Sequence, residues 1–192
     1  MSAIDDSVTA VVERLRTVLE ESGVTYAFGG AIALAAWSEP RATADVDVIL
    51  WVDPEADIER AFELVKSAGV DLDERAARAG ARDRGMFAGF AGTTRVDVFV
   101  PSIPFYEEAS RRRVRTRIGE GLAWVHSAEV LAVFKMLFFR PKDLIDVERM
   151  LGVRGAAFDR AFVRDALVTM LGEDERLPKW DAICARVPGA PS

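Results

Sequence analysis

The sequence has 192 residues, half of them apolar, and a mixed set of charges that leaves a net charge of −6 at pH 7. This composition indicates an ordered globular protein with one well-buried core, or a core with a small appendage. The acidic balance argues against a protein that coats nucleic acid non-specifically. A single cysteine, Cys184, excludes an intramolecular disulfide, and with His126 as the one histidine an ordinary zinc site cannot be formed.

The sequence also argues against export and against a membrane span. The N-terminal segment MSAIDDS is acidic, whereas a secretory signal begins basic and continues apolar. The longest apolar run, LAVFKMLFF around residue 135, is too short to cross a bilayer and has a lysine at its centre. We therefore expect a cytoplasmic protein without a membrane partner.

Strand patterns are concentrated in the first two thirds of the chain. Apolar residues at helical spacing predict a first helix from Val8, which Gly23 ends. Val24–Phe28 is predicted as a short strand that runs into Gly29-Gly30. A short apolar helix and then a strand over Val46–Val52 follow, with Asp45 and Asp47 at the start of that strand.

The remaining patterns predict a helix after Asp53, two strands over Met86–Phe90 and Arg95–Val100, and helices beyond residue 126. The charged segment 74–85, ERAARAGARDRG, lacks periodicity and is interpreted as a mobile loop. The predicted C-terminal helices span residues 127–139, 142–152, 159–171 and 175–186. We therefore expect an α+β fold, with an α/β core over residues 1–126 and a C-terminal helical region over 127–192 packed on that core.

Three aspartates are the candidates for chemistry. Because alternate residues of a strand share a face, Asp45 and Asp47 point the same way, and Asp97 lies near the start of a later strand. Clustered carboxylates need a cation, and Mg²⁺ prefers one or two carboxylates plus the phosphates of a substrate. Three carboxylates could hold two metal ions, and Asp97 could also serve as a general base. The alternative is that each aspartate only caps a turn or a helix.

Two further features could contact phosphate. Gly29-Gly30 lies between a strand and a helix, where the backbone can approach an anion closely, although a plain tight turn is the alternative. Residues 111–117 contain five arginines, for which a solvated surface turn is the alternative.

Together, Gly-Gly, Arg-x-Thr-x-Asp-x-Asp and a later Asp inside an apolar strand resemble the DNA polymerase β-like nucleotidyltransferase superfamily over roughly residues 24–100. The resemblance implies a core with a mixed sheet, transfer of NMP from an NTP to a hydroxyl, and Mg²⁺ (or Mn²⁺) held by the catalytic residues Asp45, Asp47 and Asp97. Gly30 stands where the superfamily more commonly has serine, so it offers no hydroxyl to the phosphates. The resemblance implies a nucleotide-binding role for four residues: Gly29, Gly30, Arg41 and Thr43.

The segment SAEVLAVFKMLFFRPKDLIDVERML is similar to the later motifs of the AbiEii-type and MenT-type nucleotidyltransferase toxins. This similarity implies catalytic roles for Lys135 and Asp146 and a nucleotide-binding role for Asp143. A lysine in so apolar a helix is costly to bury without an anion, which a triphosphate would supply. The alternatives are that Lys135 extends to the surface and that Asp146 pairs along its own helix with Lys142 or Arg149.

The toxin resemblance makes the 3′ end of tRNA the preferred acceptor and a cognate antitoxin a further partner. Arg111, Arg112 and Arg113 would then bind the acceptor. Two alternatives stay open: a transferase for a small hydroxylated molecule such as an antibiotic, and a non-catalytic relative that acts as a binding partner.

Overall fold

The structure is a computed structural model that describes residues 5–187. The chain divides into two compact units, one of residues up to Ile32 with Ala42–Val125, the other of Ala33–Arg41 with the residues from His126 onward. Residues 188–192, the end of the predicted helical region, lie outside the described residues. Between residues 5 and 187 there is no helix long and apolar enough to cross a membrane.

A six-stranded mixed sheet forms the centre of the first unit. Its strand order is β3-β4-β2-β1-β6-β5, with β2/β4 and β1/β6 parallel and the other neighbours antiparallel. The α+β class and the mixed sheet expected from the sequence are therefore confirmed. The chain up to Val125 runs through α1 (Val8–Ser22), β1 (Tyr26–Phe28), α2 (Gly30–Leu34), β2 (Asp45–Leu50), α3 (Ile58–Ser67), α4 (Glu74–Arg84), β3 (Met86–Ala91), β4 (Thr94–Phe99), α5 (Phe105–Arg111), β5 (Val114–Ile118) and β6 (Gly121–Val125).

The core of this unit lies against one face of the sheet. Val46, Val48 and Leu50 of β2 are fully buried there, as the alternation along a strand requires. The helix α1 packs against α3 and β2 and buries its stripe of valines and leucines. Because the apolar residues occupy this face, the aspartates at positions 45 and 47 lie on the other.

The segment predicted as a mobile loop, residues 74–85, is instead the helix α4, so that prediction was wrong. The Asp73 side chain caps the helix by accepting from the N–H of Ala76, and Gly85 ends it in the left-handed conformation. Alanine, arginine and glutamate are strong helix formers. The helix buries only small residues, Ala77, Gly80 and Ala81, against β3, so it lacks the large apolar stripe that a periodicity search detects.

The second unit is helical beyond residue 126, as predicted. Its helices are α6 (Ala128–Phe138), α7 (Pro141–Arg154), α8 (Arg160–Leu171) and α9 (Arg176–Arg186), with a 3₁₀ turn at Gly155–Ala157. The first of these packs against the other three, and Val130, Leu131, Ala132 and Val133 are buried around its circumference. Lys135, near the end of this buried helix, therefore needs groups of opposite charge inside the unit.

Candidate functional site

The strands β2 and β4 carry the three candidate carboxylates on one face of the sheet. Asp47 is the register partner of Asp97, and Asp45 is the partner of Arg95. Neighbouring strands are about 4.8 Å apart, and residues two apart share a face. Asp45, Asp47, Arg95 and Asp97 therefore form one group on the first unit, called the carboxylate face below.

Gly30 lies directly against Asp47. The N–H of Gly29 donates to the carbonyl oxygen of Asp47 at 2.9 Å, which ties the glycine pair to β2. Gly30 has φ of +49°, and a Cβ added there would lie 2.6 Å from Asp47 Cγ. Only glycine allows both this positive φ and this close approach. The structure therefore explains Gly30 without phosphate, because the missing side chain leaves room for the Asp47 carboxylate.

Thr43 supports the beginning of β2. Its hydroxyl donates to the carbonyl oxygen of Asp45 at 3.1 Å and accepts from the N–H of Asp45 at 3.3 Å. Both bonds are to the backbone of a candidate metal ligand, so Thr43 fixes the chain where the carboxylate face starts. Its role in binding phosphate stays a prediction.

Arg95 is a member of the carboxylate face that the sequence analysis did not identify. Its Nε donates to the Asp97 oxygens at 2.9 and 3.1 Å, and its Nη2 donates to Oδ1 at 2.7 Å. These hydrogen bonds, with the negative charges of Asp97, Asp45 and Asp47, raise the pKa of the guanidinium, while burial opposes the rise. The sequence did contain a signal for this ion pair, because Arg95 and Asp97 are two residues apart on one predicted strand and so share a face.

The carboxylate face suits a hard divalent cation by the chemistry of its donors. Carboxylate oxygens are the ligands that Mg²⁺ and Mn²⁺ prefer, and the absence of a side chain at Gly30 leaves room for the Asp47 carboxylate. In the arrangement that the structure describes for residues 5–187, no three His, Cys, Asp or Glu side chains are grouped to hold a metal. The Asp97 carboxylate contacts Arg95 instead.

In the second unit, Lys135 lies in a buried cluster of charges. Its Nζ donates to Asp146 Oδ2 at 2.7 Å and lies 3.5 Å from Asp143 Oδ1. The Lys135 side chain is only 4% exposed, so the alternative in which it extends to the surface is wrong. The anions that compensate it in the structure are two aspartates of α7, and its predicted contact with triphosphate stays untested.

Two arginines complete this cluster. Arg41 lies 3.3 Å from Asp146 through Nε and Nη2, so the pairs of Asp146 that the structure describes are with Arg41 and Lys135, which lie outside its own helix. Arg140 donates from Nε to Asp143 at 2.6 Å and also donates its backbone N–H to the same carboxylate. The structure thus brings together four of the predicted residues, and Arg140 is the member that sequence analysis missed.

A strained turn sets the geometry of the cluster. Phe139 ends α6 in the left-handed conformation, with φ of +56°, which is uncommon for a residue other than glycine. Arg140 follows as the residue before α7, and Pro141 is the first residue of that helix. The turn directs the first two turns of α7, which bear Asp143 and Asp146, toward Lys135.

The three arginines predicted to bind an acceptor have partners within their own unit. Arg111 donates to Glu107 and Glu108 of α5, and Arg112 pairs with Glu108. Arg113 lies over the rings of Trp124 and Trp51, at 4.7 and 5.9 Å from their centroids. The run is therefore the end of a helix and the start of β5, with part of its charge balanced by glutamates.

Comparison with known proteins shows a shared fold. No family model matches the chain, and no curated protein matches it. The solution structure of the antibiotic-resistance factor ANT(2″)-Ia matches with a TM-score of 0.60, 14% identity and coverage of 84% of this chain and 91% of that one. The crystal structure of ANT(2″)-Ia with adenylyl-2″-tobramycin matches with a TM-score of 0.53, 11% identity and coverage of 93% and 97%.

A third solved structure is the lincosamide antibiotic adenylyltransferase LnuA bound to lincomycin. It matches with a TM-score of 0.51, 10% identity and coverage of 78% of this chain and 99% of that one. At these identities the matches establish a common fold. This chain therefore shares its fold with ANT(2″)-Ia and with the adenylyltransferase LnuA.

We expect Gly30→Ala to lower the free energy of unfolding more than Gly23→Ala. Both glycines have positive φ, but a Cβ at Gly23 meets nothing within 4 Å, so Gly23→Ala isolates the backbone strain of about 1–2 kcal/mol. The clash with Asp47 should add about 1–3 kcal/mol at Gly30. Urea unfolding measures both losses, and adding Asp47→Ala to Gly30→Ala should restore most of the excess. Equal losses at the two glycines would contradict the contact.

We expect Lys135→Met to lower the free energy of unfolding by about 3–5 kcal/mol, because it leaves two buried carboxylates with one cation fewer. The double variant Lys135→Met/Asp146→Asn should recover part of that loss. Lys179→Met provides the control, since Lys179 is exposed and surface changes stay within about 0.5 kcal/mol. If Lys135→Met unfolds at the same denaturant concentration as the wild type, the ion pairs do not hold this unit together.

Proposed function

We propose that this protein is a nucleotidyltransferase, which transfers NMP from an NTP to an acceptor hydroxyl and releases pyrophosphate. The observation that carries the proposal is the parallel pairing of β2 and β4, which makes Asp47 and Asp97 register partners with Asp45 on the same face. The shared fold with LnuA, described as an adenylyltransferase, supports it.

In this proposal Asp45, Asp47 and Asp97 hold the divalent cation, Mg²⁺ or Mn²⁺. When bound, the cation supplies positive charge for the phosphates and lowers the cost of deprotonating the acceptor hydroxyl. Asp97 also accepts the proton of that hydroxyl, as a carboxylate whose backbone is fixed in β4 beside Asp47. Gly29 and Gly30 keep side chains away from the phosphates.

The remaining roles rest on the sequence resemblance. Lys135 would neutralise the negative charge that develops on the phosphates. Asp146 would orient Lys135 by accepting a hydrogen bond from its ammonium group. Arg41, Thr43 and Asp143 would support nucleotide binding. The buried cluster of charges supports the role of Lys135, because its two aspartates hold the ammonium group in one defined position.

A small hydroxylated molecule is the acceptor that we favour. ANT(2″)-Ia is described with adenylyl-2″-tobramycin and LnuA with lincomycin, and both have this fold. The ion pairs of Arg111 and Arg112 with glutamates of α5 point the same way, because an RNA surface needs cations that are not already balanced.

The 3′ end of tRNA is the second candidate, with the protein as the toxin of a toxin–antitoxin pair. Its support is the resemblance of the second half of the sequence to AbiEii-type and MenT-type toxins, and the density of arginines after residue 110. A cognate antitoxin would then be a partner.

The decisive experiment for nucleotidyl transfer incubates the protein with each α-labelled NTP, Mg²⁺ or Mn²⁺, and separate pools of total RNA and hydroxylated antibiotics. We expect label transfer by the wild type and a loss of at least about 100-fold for Asp47→Asn and Asp97→Asn. The control is Asp73→Asn, because Asn caps α4 as well as Asp does. Wild-type turnover by both site variants would remove the proposed function.

Measuring activity over a series of salt concentrations distinguishes a tRNA acceptor from a small-molecule acceptor. The test variant replaces Arg111 and Arg112 by Gln and keeps Arg113, which packs on Trp124. For tRNA, activity should fall and the slope of log activity against log salt should become shallower by about 1.4 to 1.8, since two phosphate contacts are lost. For a small molecule, both quantities should match the wild type. A variant that labels tRNA like the wild type at every salt concentration would show that these arginines do not bind RNA.

A further inference from the structure

Arg95 lies on β4 two residues before Asp97, where its guanidinium reaches the Asp97 carboxylate. Residues 95 and 97 are two apart and share the carboxylate face. Asp45 is the register partner of Arg95 across β2/β4, and Asp47 is the partner of Asp97. The guanidinium therefore lies among the three carboxylates proposed to hold the metal.

The contact between Arg95 and Asp97 uses both carboxylate oxygens. Nε lies 2.9 Å from Oδ1 and 3.1 Å from Oδ2, and Nη2 lies 2.7 Å from Oδ1. Charge-assisted hydrogen bonds of this kind occupy the oxygen lone pairs that a metal ion would use. The two oxygens have about four lone-pair sites, so these three contacts leave little room for a metal ion on the side that the positively charged guanidinium covers.

The pair is also placed so that it can be exchanged. The Arg95 side chain is 45% exposed, while that of Asp97 is 15% exposed, so the guanidinium covers the carboxylate from the solvent side. Solvent-exposed ion pairs contribute little to stability, because water and salt screen them. Arg95 can therefore move away at small cost when a stronger ligand for Asp97 arrives.

We propose that Arg95 competes with the divalent cation for Asp97. The inference rests on the proposed function. When no divalent cation is bound, the guanidinium neutralises the third carboxylate. Binding of the cation requires Arg95 to release both Asp97 oxygens. Arg95 acts through Asp97 and is thus a positioning residue, and it lowers the affinity of the site for metal.

The test measures Mn²⁺ binding to the full chain without nucleotide, by the loss of the electron paramagnetic resonance signal of free Mn²⁺. Arg95→Gln should bind Mn²⁺ about two- to fivefold more tightly than the wild type, because the competing charge is gone. Arg95→Lys, which keeps the charge but loses the planar fork, should lie between them. The matched control is Arg164→Gln, which removes an equally exposed arginine bonded to both oxygens of Asp181 and should leave the affinity unchanged.

A second measurement follows the guanidinium itself. The ¹H–¹⁵N resonance of Arg95 Nε, assigned by its loss in Arg95→Gln, should shift on addition of Mg²⁺ and return on addition of EDTA. The Arg164 Nε resonance should not move. This readout needs only the wild-type protein once the resonance is assigned.

The outcomes separate this inference from the proposed function. If Arg95→Gln binds Mn²⁺ no more tightly than the wild type, or if the Arg95 resonance ignores Mg²⁺, competition is disproved while the metal site stands. If Mn²⁺ binds neither the wild type nor Arg95→Gln in the absence of nucleotide, the inference is overturned, and the label-transfer experiment decides the proposed function by itself. Binding that is unaffected by Asp97→Asn overturns the inference and the proposed role of Asp97 as a metal ligand, and it leaves nucleotidyl transfer with Asp45 and Asp47 as the ligands standing.

Discussion

Repulsion between neighbouring carboxylates is the constraint on which this face of the sheet depends. The parallel pairing of β2 and β4 brings Asp47 beside Asp97, and alternation along β2 adds Asp45 to the same face. Carboxylates at such spacing destabilise one another unless positive charge lies near. The chain supplies that charge itself through Arg95, and it supplies space through Gly30, where any side chain would collide with Asp47. This grouping of like charges lowers local stability, and Arg95 and Gly30 limit that loss.

The second unit solves a similar problem inside its core. Lys135 lies on a helix that is buried nearly all round, where an unpaired ammonium would be very costly. Asp143 and Asp146 of α7 lie beside the ammonium, and each of them pairs in turn with an arginine, Arg140 or Arg41, so each charge has an opposite charge nearby. Such a cluster is weak evidence for stability, since apolar residues of similar volume often serve as well. What the cluster does in this structure is hold the Lys135 ammonium in one place, with its Nζ 2.7 Å from Asp146.

The local sequence pattern was sufficient to predict most helices and strands, and to place Asp45 and Asp47 on the same face of their strand. The alternation of Val46, Asp47 and Val48 assigns the carboxylate to one face without reference to any other strand. It does not reveal that Asp47 pairs with Asp97, or that Arg95 bonds to Asp97, because register is a long-range property. The contact of Gly30 with Asp47 was hidden for the same reason. The helix α4 was missed because small residues form its buried stripe.

The connection between α6 and α7 has a consequence for how this protein can change over time. Two residues, Phe139 and Arg140, separate the helices, and Phe139 adopts a conformation that disfavours side chains. One inserted residue would lengthen a connection of only two residues and displace the start of α7, which would move Asp143 and Asp146 away from Lys135. Surface connections usually tolerate insertions and deletions. This one should be of constant length in any descendant that keeps the buried lysine, even where the residues of the turn itself are replaced.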